Sequence, residues 1–543
     1  MADRPERVKG AGSAKGSDGS PKGASRAGRI ARSARSVSIA VFLSRILGLV
    51  REQVLAGLFG AGTAMDAFVV AFRIPNLLRD LFAEGALSSA FVTVFSEYRE
   101  TKDRAETMAL VNAVFTASAI IISCICLAAM AFSDELVRLM APEFASIPGK
   151  IEMARDMTII MLPFLLMISL AALFMGLLNT SGYFFIPAFA SACFNLGSIV
   201  VGTALALLFP RFGWPAIYGM AVGTLSGGVL QMAVQLPLVI KAGYRIRPLM
   251  DFTHPGLRKI GRLIVPAILG LSATQINIFI NTNFASRCAE GSVAWLNYSF
   301  RLMFFPIGLF GVALSVATLP SVARLAARGQ LDQVGKTLVS SLTMVFGLTI
   351  PATCGLWILA EPIVELIYQH GHFSRFDTIM TAEALRFYAI GLMAYSAVKI
   401  LVPVFYALND TKWPVIGSFS AVGANIAVIL LTLERFQHRA IALSTSLSIM
   451  LNLAILALVL YRKIGGFPAG RLMASFMRAV LASAVMSAAV YLAVSPGLYG
   501  QGLFWTGLKV TAGVCVGLAA YGAAVWLFRI EEIKDFMKAL MKR

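Results

Sequence analysis

About fourteen runs of roughly twenty apolar residues dominate this 543-residue sequence, and each run is long enough to cross a bilayer as a helix. Backbone amides inside a bilayer have no water to bond, so a crossing segment must satisfy its own hydrogen bonds as a helix. Only 14% of the residues are charged, against about 25% in a soluble domain, and the mean hydropathy is +0.77. The sequence therefore predicts an all-α polytopic membrane protein and excludes a soluble enzyme, a disordered chain and a nucleic-acid-binding module.

The predicted transmembrane helices follow the apolar runs along the chain. Their ranges are 36–59, 66–95, 107–133, 156–178, 185–209, 215–240, 263–283, 293–321, 337–360, 381–408, 413–432, 440–461, 473–495 and 503–528.

Basic residues mark both ends of the chain and set its predicted topology. Residues 1–35 are rich in Gly, Ser, Ala, Lys and Arg and predict a disordered tail, whereas 529–543 predict a short amphipathic helix. With a cytoplasmic N-terminus, about 30 Lys and Arg fall in cytoplasmic segments and about 8 in outer loops, in line with the positive-inside rule. The net charge of +19 is thus assigned to membrane-flanking segments, and both termini are predicted to be cytoplasmic.

The two halves of the sequence resemble each other at an offset of about 228 residues. Phe72–Ile74 (FRI) matches Phe300–Leu302 (FRL), and Ala86–Ser88 (ALS) matches Ala313–Ser315 (ALS). The copies begin six spans apart, so both enter the membrane from the same side as a parallel repeat, which favours a transporter that rocks one lobe against the other. The predicted organisation is a basic tail (1–35), two pseudo-symmetric six-helix lobes (36–241 and 242–462), two C-terminal helices (463–528) and a basic cytoplasmic helix (529–543).

Charged residues lie inside the first, second and eighth predicted spans. Each costs about 2.5–3.5 kcal/mol at the bilayer centre, so four mid-depth arginines would cost roughly 10–14 kcal/mol if they faced lipid. They must face a wet or protein-lined interior. The arginines of these three spans are Arg45, Arg51, Arg73, Arg79 and Arg301.

Helical spacing places these charges on defined faces. At about 100° per residue, one side of the second span carries Arg73, Asn76, Asp80 and Glu84. One face of the first span carries Ser44, Arg45 and Glu52, with Arg51 displaced from it by about 120°. Pro75 predicts a kink in the second span, and Gly85 predicts a flexible point.

Two interpretations of the charged cluster remain open on the residues alone. The arginines can form interhelical ion pairs with Glu52, Asp66, Asp80 and Glu84, which is the favoured interpretation for Arg73 and Asp80. Alternatively, they form an anion site, because guanidinium groups suit the bidentate binding of phosphate. Arg301 has no acidic neighbour in its own span, so it most resembles a ligand contact.

Several motifs resemble those of the MurJ/MviN lipid II flippases, a branch of the multidrug and oligosaccharidyl-lipid exporter superfamily. They are Ser44–Glu52, Asp66–Arg79, Phe82–Ala86, Pro266–Gly270 and Tyr298–Met303. The resemblance implies two six-helix lobes around a central cavity, with the last two helices forming a groove for a lipid tail. It also implies a multi-pass protein of the bacterial inner membrane that moves lipid II, the undecaprenyl-pyrophosphate-linked peptidoglycan precursor, to the periplasmic leaflet.

By matching motif positions, the resemblance assigns the cavity arginines to Arg45, Arg51, Arg79 and Arg301. It assigns supporting roles to Asp66 and Glu84, to which the polar faces add Ser44 and Asn76. The implied partners are lipid II, membrane lipids and cell-wall synthesis proteins, with no nucleic acid, and the expected state is a monomer.

Cofactors are not expected, although the resemblance suggests coupling to membrane potential, Na⁺ or H⁺. Asp410 is the best candidate for a cation site, but Asn409-Asp410-Thr411 suits a plain turn better. The alternatives are a flippase for another polyprenyl-linked saccharide and a drug or cation antiporter, in whose cavity acids should dominate. A membrane glycosyltransferase would need paired carboxylates, and a structural scaffold would not need buried arginines.

Overall fold

The computed structural model describes residues 26–495, 498–500 and 502–534. Within these ranges, the side chains of 26–36, 83 and 84 are not among those described. The chain forms twenty-one α-helices and no strand within the described ranges. In the first half the α-helices are α1 (Arg26–Phe59), α2 (Thr63–Leu78), α3 (Ser88–Thr101), α4 (Arg104–Ala131), α5 (Ser133–Met140), α6 (Lys150–Met161), α7 (Phe164–Thr180), α8 (Phe185–Leu208), α9 (Ala216–Ala233) and α10 (Leu236–Lys241).

The remaining helices make up the second half and the C-terminal pair. They are α11 (Pro255–Ser286), α12 (Ser292–Pro306), α13 (Ala313–Ala327), α14 (Leu331–Ile358), α15 (Ala360–Tyr368), α16 (Arg375–Ile390), α17 (Leu392–Ala407), α18 (Lys412–Phe436), α19 (His438–Lys463), α20 (Ala469–Ala493) and α21 (Leu503–Leu527). Two π-helical segments (Arg79–Leu87 and Ile307–Val312) join α2 to α3 and α12 to α13, and 3₁₀ turns occupy Pro142–Ser146 and Phe209–Phe212.

The prediction of an all-helical multi-pass protein is confirmed, but the count of fourteen spans is not. Eleven helical spans of the described chain are long and apolar enough to cross a membrane, or twelve when α16 and α17, bent by 43° at Gly391, count as one. The two predicted spans outside this count are α1 and the α2–α3 unit. They carry the ionisable residues of the charged cluster, which lower their apolar character.

The element order repeats at about the offset found in the sequence. The π-helical segments begin 228 positions apart, at Arg79 and Ile307, and α7 and α17 also begin 228 positions apart. A short helix follows the third long helix of each half, as α5 and as α15. Equivalent asparagines bind the first helix of each half: Asn195 donates to the Ser44 carbonyl, and Asn425 donates to Asn281.

Three buried apolar clusters show how the halves meet. One cluster joins both halves at the end of the molecule that carries α5 and α15, which we call the α5/α15 end. At the opposite end each half has its own cluster, one built on α3, α4 and α7 and the other on α13, α14 and α17. The first turns of α11 belong to the former cluster, through Ile260. The two halves therefore share one core at the α5/α15 end, whereas at the opposite end it is α11 of the second half that packs against the first-half cluster.

The ends of the chain differ from prediction in one respect. Helix α1 already begins at Arg26, so the backbone of 26–35 is helical where the sequence predicted a tail. Residues 1–25 and 535–543 lie outside the described residues. The C-terminal pair α20 and α21 packs on α14 and α15 through its own apolar cluster.

Candidate functional site

A small polar pocket lies where α1, α2, α9 and α12 meet. It encloses about 30 Å³, enough for one or two water molecules. Apolar side chains of α1 and α2 form part of its wall, and its polar lining consists of Arg51, Glu52, Arg73, Asn76, Thr224, Asn297 and Arg301. We call it the arginine pocket.

Glu52 organises the arginine pocket from α1. Its Oε1 lies 2.9 Å from Arg51 Nη2 and 3.3 Å from Arg301 Nη2. Glu52 and Arg51 are buried, whereas the Arg301 side chain is 45% exposed. One carboxylate thus holds an arginine of each half, and Arg301 keeps much of its guanidinium accessible. The expectation that Arg301 lacks an acidic partner held only for its own span, because the partner comes from α1.

Arg51 is fixed by aromatic rings as well as by Glu52. Its guanidinium carbon lies 5.8 Å from the centre of the Phe72 ring and 5.5 Å from that of Phe194. Its Nε and the second oxygen of Glu52 are buried without a hydrogen-bond partner among the described side chains. Buried polar atoms in this condition need water or a ligand, since leaving one unpaired costs about 1–3 kcal/mol.

An ion pair was the favoured interpretation for each of Arg73 and Asp80, which lie on one side of the second span but do not pair with each other. Asp80 Oδ1 instead accepts from Arg79, at 3.1 Å from Nε and 2.8 Å from Nη2. Arg73 lines the arginine pocket and makes no ion pair among the side chains that the structure describes. Among the described residues that line this pocket, three arginines therefore face one glutamate, an excess of two positive charges.

The other predicted arginines lie outside this lining. Arg79 is bound to Asp80, whose other oxygen is 3.3 Å from Gln275 Nε2 of α11. Arg45 is exposed and its guanidinium rests on Gly308, where an added Cβ would lie 2.5 Å from Nη1. The structure thus brings Arg51 and Arg301 together, and adds Arg73, which the sequence had assigned to an ion pair.

The remaining predicted residues of spans 1 and 2 have mixed outcomes. Asn76 lines the pocket, and its Oδ1 is buried without a partner among the described residues. Ser44 lies at the α1–α8 contact through its carbonyl. The Glu84 side chain is outside the described residues. The helix departs from α geometry at Arg79, four residues after Pro75, and Gly85 lies within that π-helical segment.

Gly85 was predicted to be a flexible point, and in the structure it also lies at a close contact between helices. A Cβ at this position would lie 2.4 Å from Leu271 Cδ1 of α11. A glycine here lets α11 approach the π-helical segment closely, a contact that the sequence alone could not show.

Asp66 was predicted to support the cavity, but the structure places it at the α5/α15 end. It is 2% exposed, and its Oδ2 lies 2.9 Å from Lys150 Nζ. The amides of Gly291 and Ala294 donate to its two oxygens, each at 2.9 Å. Asp66 therefore caps the start of α12 in the other half, where the helix dipole favours an anion.

A second carboxylate makes the reciprocal contact. Glu290, just before α12, accepts from the Thr63 amide at 2.8 Å and from the Thr63 hydroxyl. The Glu290 carboxylate thus caps the start of α2. The Thr63 hydroxyl holds the pKa of Glu290 below its usual value. Each half thus supplies a carboxylate to the first turn of the other half's second helix. We call these two contacts the reciprocal caps.

The last turns of α1 complete the contact at this end. The His372 amide donates to the Gly57 carbonyl at 2.9 Å, and the Gln53 carboxamide donates to the Ile367 carbonyl at 3.1 Å. Gly371 faces the Gly57 carbonyl, and a Cβ there would lie 2.1 Å from that oxygen. The two halves are therefore sealed at the α5/α15 end, directly beyond the arginine pocket.

Asp410 makes the contacts of a helix cap. Its Oδ1 accepts from the Lys412 amide at 3.1 Å, and its Oδ2 pairs with Lys463. The bonded Lys463 ammonium holds the pKa of Asp410 below its usual value. Among the described residues, no group of three or more His, Cys, Asp or Glu side chains could hold a metal. These contacts favour the turn interpretation over a cation site.

Replacing Asp410 with Ala is expected to lower stability by about 1 kcal/mol, the usual cost of losing a helix N-cap. The melting temperature of the detergent-solubilised protein measures this change. Because Asp410 is already bonded to Lys463, Na⁺ should shift wild type and variant equally. A Na⁺-dependent stabilisation of the wild type that disappears in the variant would restore the cation-site assignment.

Comparisons with known proteins identify one family. A family model described as lipid II flippase MurJ matches residues 55–507. A relative from Burkholderia cenocepacia named lipid II flippase MurJ is 36% identical, and the match covers 80% of this chain and 84% of the relative. A Vibrio cholerae relative named probable lipid II flippase MurJ is 34% identical, with 94% and 98% covered.

Solved structures give the same grouping. A structure described as lipid II flippase MurJ in an inward closed conformation matches with a TM-score of 0.76 at 27% identity, covering 91% of this chain and 98% of that one. An inward-facing multidrug transporter of the MATE family matches with a TM-score of 0.65 at 14% identity, covering 78% and 94%. The second likeness shows a shared fold alone.

Proposed function

Because the chain belongs to the MurJ family of lipid II flippases, we propose that it moves lipid II from the cytoplasmic to the periplasmic leaflet of the bacterial inner membrane. The observation that carries this proposal is the arginine pocket. Its three arginines exceed its one glutamate by two positive charges, and Arg301 remains accessible. An excess of guanidinium groups suits the pyrophosphate of a lipid-linked precursor.

The shared and separate cores support an alternating-access mechanism. The halves share a core at the α5/α15 end, and at the other end α13, α14 and α17 form a cluster apart from the one that α11 joins with α3, α4 and α7. Basic residues predominate in the segments at that other end, so we assign it, with both termini, to the cytoplasm. Substrate then enters from the cytoplasmic side, and release requires the reciprocal caps to separate.

The pocket must widen during transport. Its volume of about 30 Å³ holds one or two waters, which is less space than a pyrophosphate needs. The unpartnered Arg51 Nε and Asn76 Oδ1 mark where polar contacts are still to be made. Rocking of the lobes would open the pocket and offer these atoms to the headgroup.

We assign no cofactor to this mechanism and place the chain among transporters rather than enzymes, working as a monomer. Membrane potential can contribute, because one charge crossing 100 mV is worth about 2.3 kcal/mol. The inside-negative potential favours outward movement of the anionic headgroup. The partners are lipid II and membrane lipids, with cell-wall synthesis proteins able to supply and consume the substrate.

Two alternatives make different use of this pocket. A drug or cation antiporter of the same fold would place acids in excess, whereas Glu52 is outnumbered by Arg51, Arg73 and Arg301. A flippase for another polyprenyl-linked saccharide would bind the same pyrophosphate and differ only in its contacts to the sugar.

The test is the accessibility of lipid II in cells depleted of their own flippase and supplied with this chain. An externally added enzyme that cleaves lipid II reports how much substrate reaches the outer leaflet. We expect the chain to restore cleavage to the level of undepleted cells. If a folded, inserted protein restores none, the substrate is another lipid-linked molecule and the assignment to lipid II is wrong.

A further inference from the structure

A second cavity lies at the α5/α15 end, between α15 and the first turns of α21. It encloses about 470 Å³, and its wall carries Glu365, Gln369, Arg375, Trp505 and Lys509. The described residues that line it do not include any that line the arginine pocket. The two cavities are therefore distinct, and the second has no part in the transport mechanism above.

The carboxylates at this cavity are already bonded. Glu361 pairs with Arg375 and lies 3.8 Å from Arg386 Nη2. Glu365 lies 3.4 Å from Arg375 Nη1, and its Oε1 accepts from the Thr506 hydroxyl at 2.8 Å. Two arginines thus balance two carboxylates, and no acidic charge is left over among these groups.

Lys509 is the uncommitted charge of the cavity. Its ammonium makes no ion pair among the residues that the structure describes, and it lines the cavity wall. The loop between α20 and α21 has three residues outside the described ranges, and these are Pro, Gly and Gln, which carry no charge. The cavity therefore has a net positive charge.

An uncharged donor lies on the same wall. The Gln369 carboxamide accepts from the Thr378 hydroxyl at 2.7 Å through Oε1. This bond fixes the orientation of the carboxamide and leaves its NH₂ group available as a donor. An ammonium and an amide NH₂ on one cavity wall suit an anionic oxygen ligand.

The position of the cavity along α21 indicates that it lies near the membrane surface. Lys509 comes six residues after Leu503, the first residue of α21, which corresponds to about 9 Å along the helix axis. Leu503 and Trp505, which line the cavity, are exposed, and Trp is typical of a bilayer interface. A ligand held by Lys509 would therefore sit among lipid headgroups, with apolar side chains beside it.

We propose that this cavity binds the phosphate of an anionic lipid in the leaflet at the α5/α15 end. Lys509 binds a phosphate oxygen, Gln369 donates to a second one, and the acyl chains lie against Leu503 and Trp505. A lipid fits better than a soluble anion because these apolar side chains lie beside the charge. The phosphate can belong to a glycerophospholipid or to a lipid-linked pyrophosphate.

The test compares lipids bound to the full-length protein by native mass spectrometry. Phosphatidylglycerol is compared with phosphatidylcholine of the same acyl chains, on wild type, Lys509→Gln and Arg211→Gln. Arg211 is an exposed basic residue after α8, so its variant loses the same charge at the same end without touching the cavity. We expect about a tenfold weaker affinity for phosphatidylglycerol in Lys509→Gln alone.

Comparing each variant with wild type isolates this cavity, because the arginine pocket is unchanged in both variants. Equal binding of phosphatidylglycerol to wild type and Lys509→Gln would overturn the proposal, as would equal binding of the two lipids to wild type. Undecaprenyl pyrophosphate, added as a competitor, identifies which class of lipid supplies the bound phosphate. Displacement of phosphatidylglycerol assigns the cavity to a lipid-linked pyrophosphate, and retention assigns it to a bulk phospholipid. Binding is read without transport, so the result does not depend on lipid II flipping.

Discussion

Replacing Arg301 with Ala is expected to reduce lipid II export by about ten- to a hundredfold, the range expected for losing one charge-assisted contact to phosphate. The Arg301 side chain is 45% exposed, so it can reach a ligand. Glu52 keeps its 2.9 Å bond to Arg51 in the variant, so no buried charge loses its only partner. The loss of stability should therefore stay below the roughly 3–5 kcal/mol expected when a buried charge loses its only partner.

External cleavage of lipid II measures this loss, at matched membrane levels of the protein. Arg301→Lys keeps the charge but not the planar pair of donors, and we expect it to be intermediate. Arg211→Ala removes an exposed arginine far from the arginine pocket and should export as wild type does. Wild-type export by Arg301→Ala would show that the pocket's exposed arginine does not bind the headgroup.

The sequence could predict where the charges lie along each helix but not which charges meet across helices. Helical spacing placed Arg73 and Asp80 on one side of the second span, and an ion pair was the favoured interpretation for each of them. In the structure Asp80 binds Arg79, its neighbour in sequence, at the point where the helix changes to π geometry. This change of helical period alters the direction of every following side chain, and a fixed angle of 100° per residue cannot anticipate it.

The sequence could not predict contacts between residues of distant segments either. Arg301 meets Glu52 from α1, and Asp66 meets amides at the start of α12. The internal repeat held the signal for the second contact, because Ala294 lies 228 positions after Asp66. A pseudo-symmetric pair of lobes brings equivalent helix starts together, so a carboxylate in one first turn can cap the other. The fold class and the repeat were accessible from apolar runs and short matches, since both depend on pattern rather than on contacts.

Replacing Asp66 with Ala is expected to destabilise the protein by about 3–5 kcal/mol, because Lys150 would be left as an unpaired buried charge. Lys150 is 2% exposed, and among the described residues its salt bridge is to Asp66. The amides of Gly291 and Ala294 would also lose their acceptor. The melting temperature and the membrane level of the variant measure the effect.

The double variant Asp66→Ala/Lys150→Met distinguishes the effect of Asp66 on stability from its effect on the closed contact between the lobes. Removing both charges should recover most of the stability, while the cap on α12 stays broken. Cys288 lies beside the reciprocal caps in a pocket that Asp66 and Glu290 also line, and burial raises the pKa of its thiol to about 12. The measurement uses a chain whose other five cysteines are replaced and a membrane-impermeant maleimide added from outside. Cys288 should be labelled several-fold faster in the double variant than without these two substitutions, because opening exposes the thiol and favours its thiolate. Restored stability with unchanged labelling would mean that the cap of Asp66 on α12 does not hold the α5/α15 end closed, and that the apolar core shared by the halves does so alone.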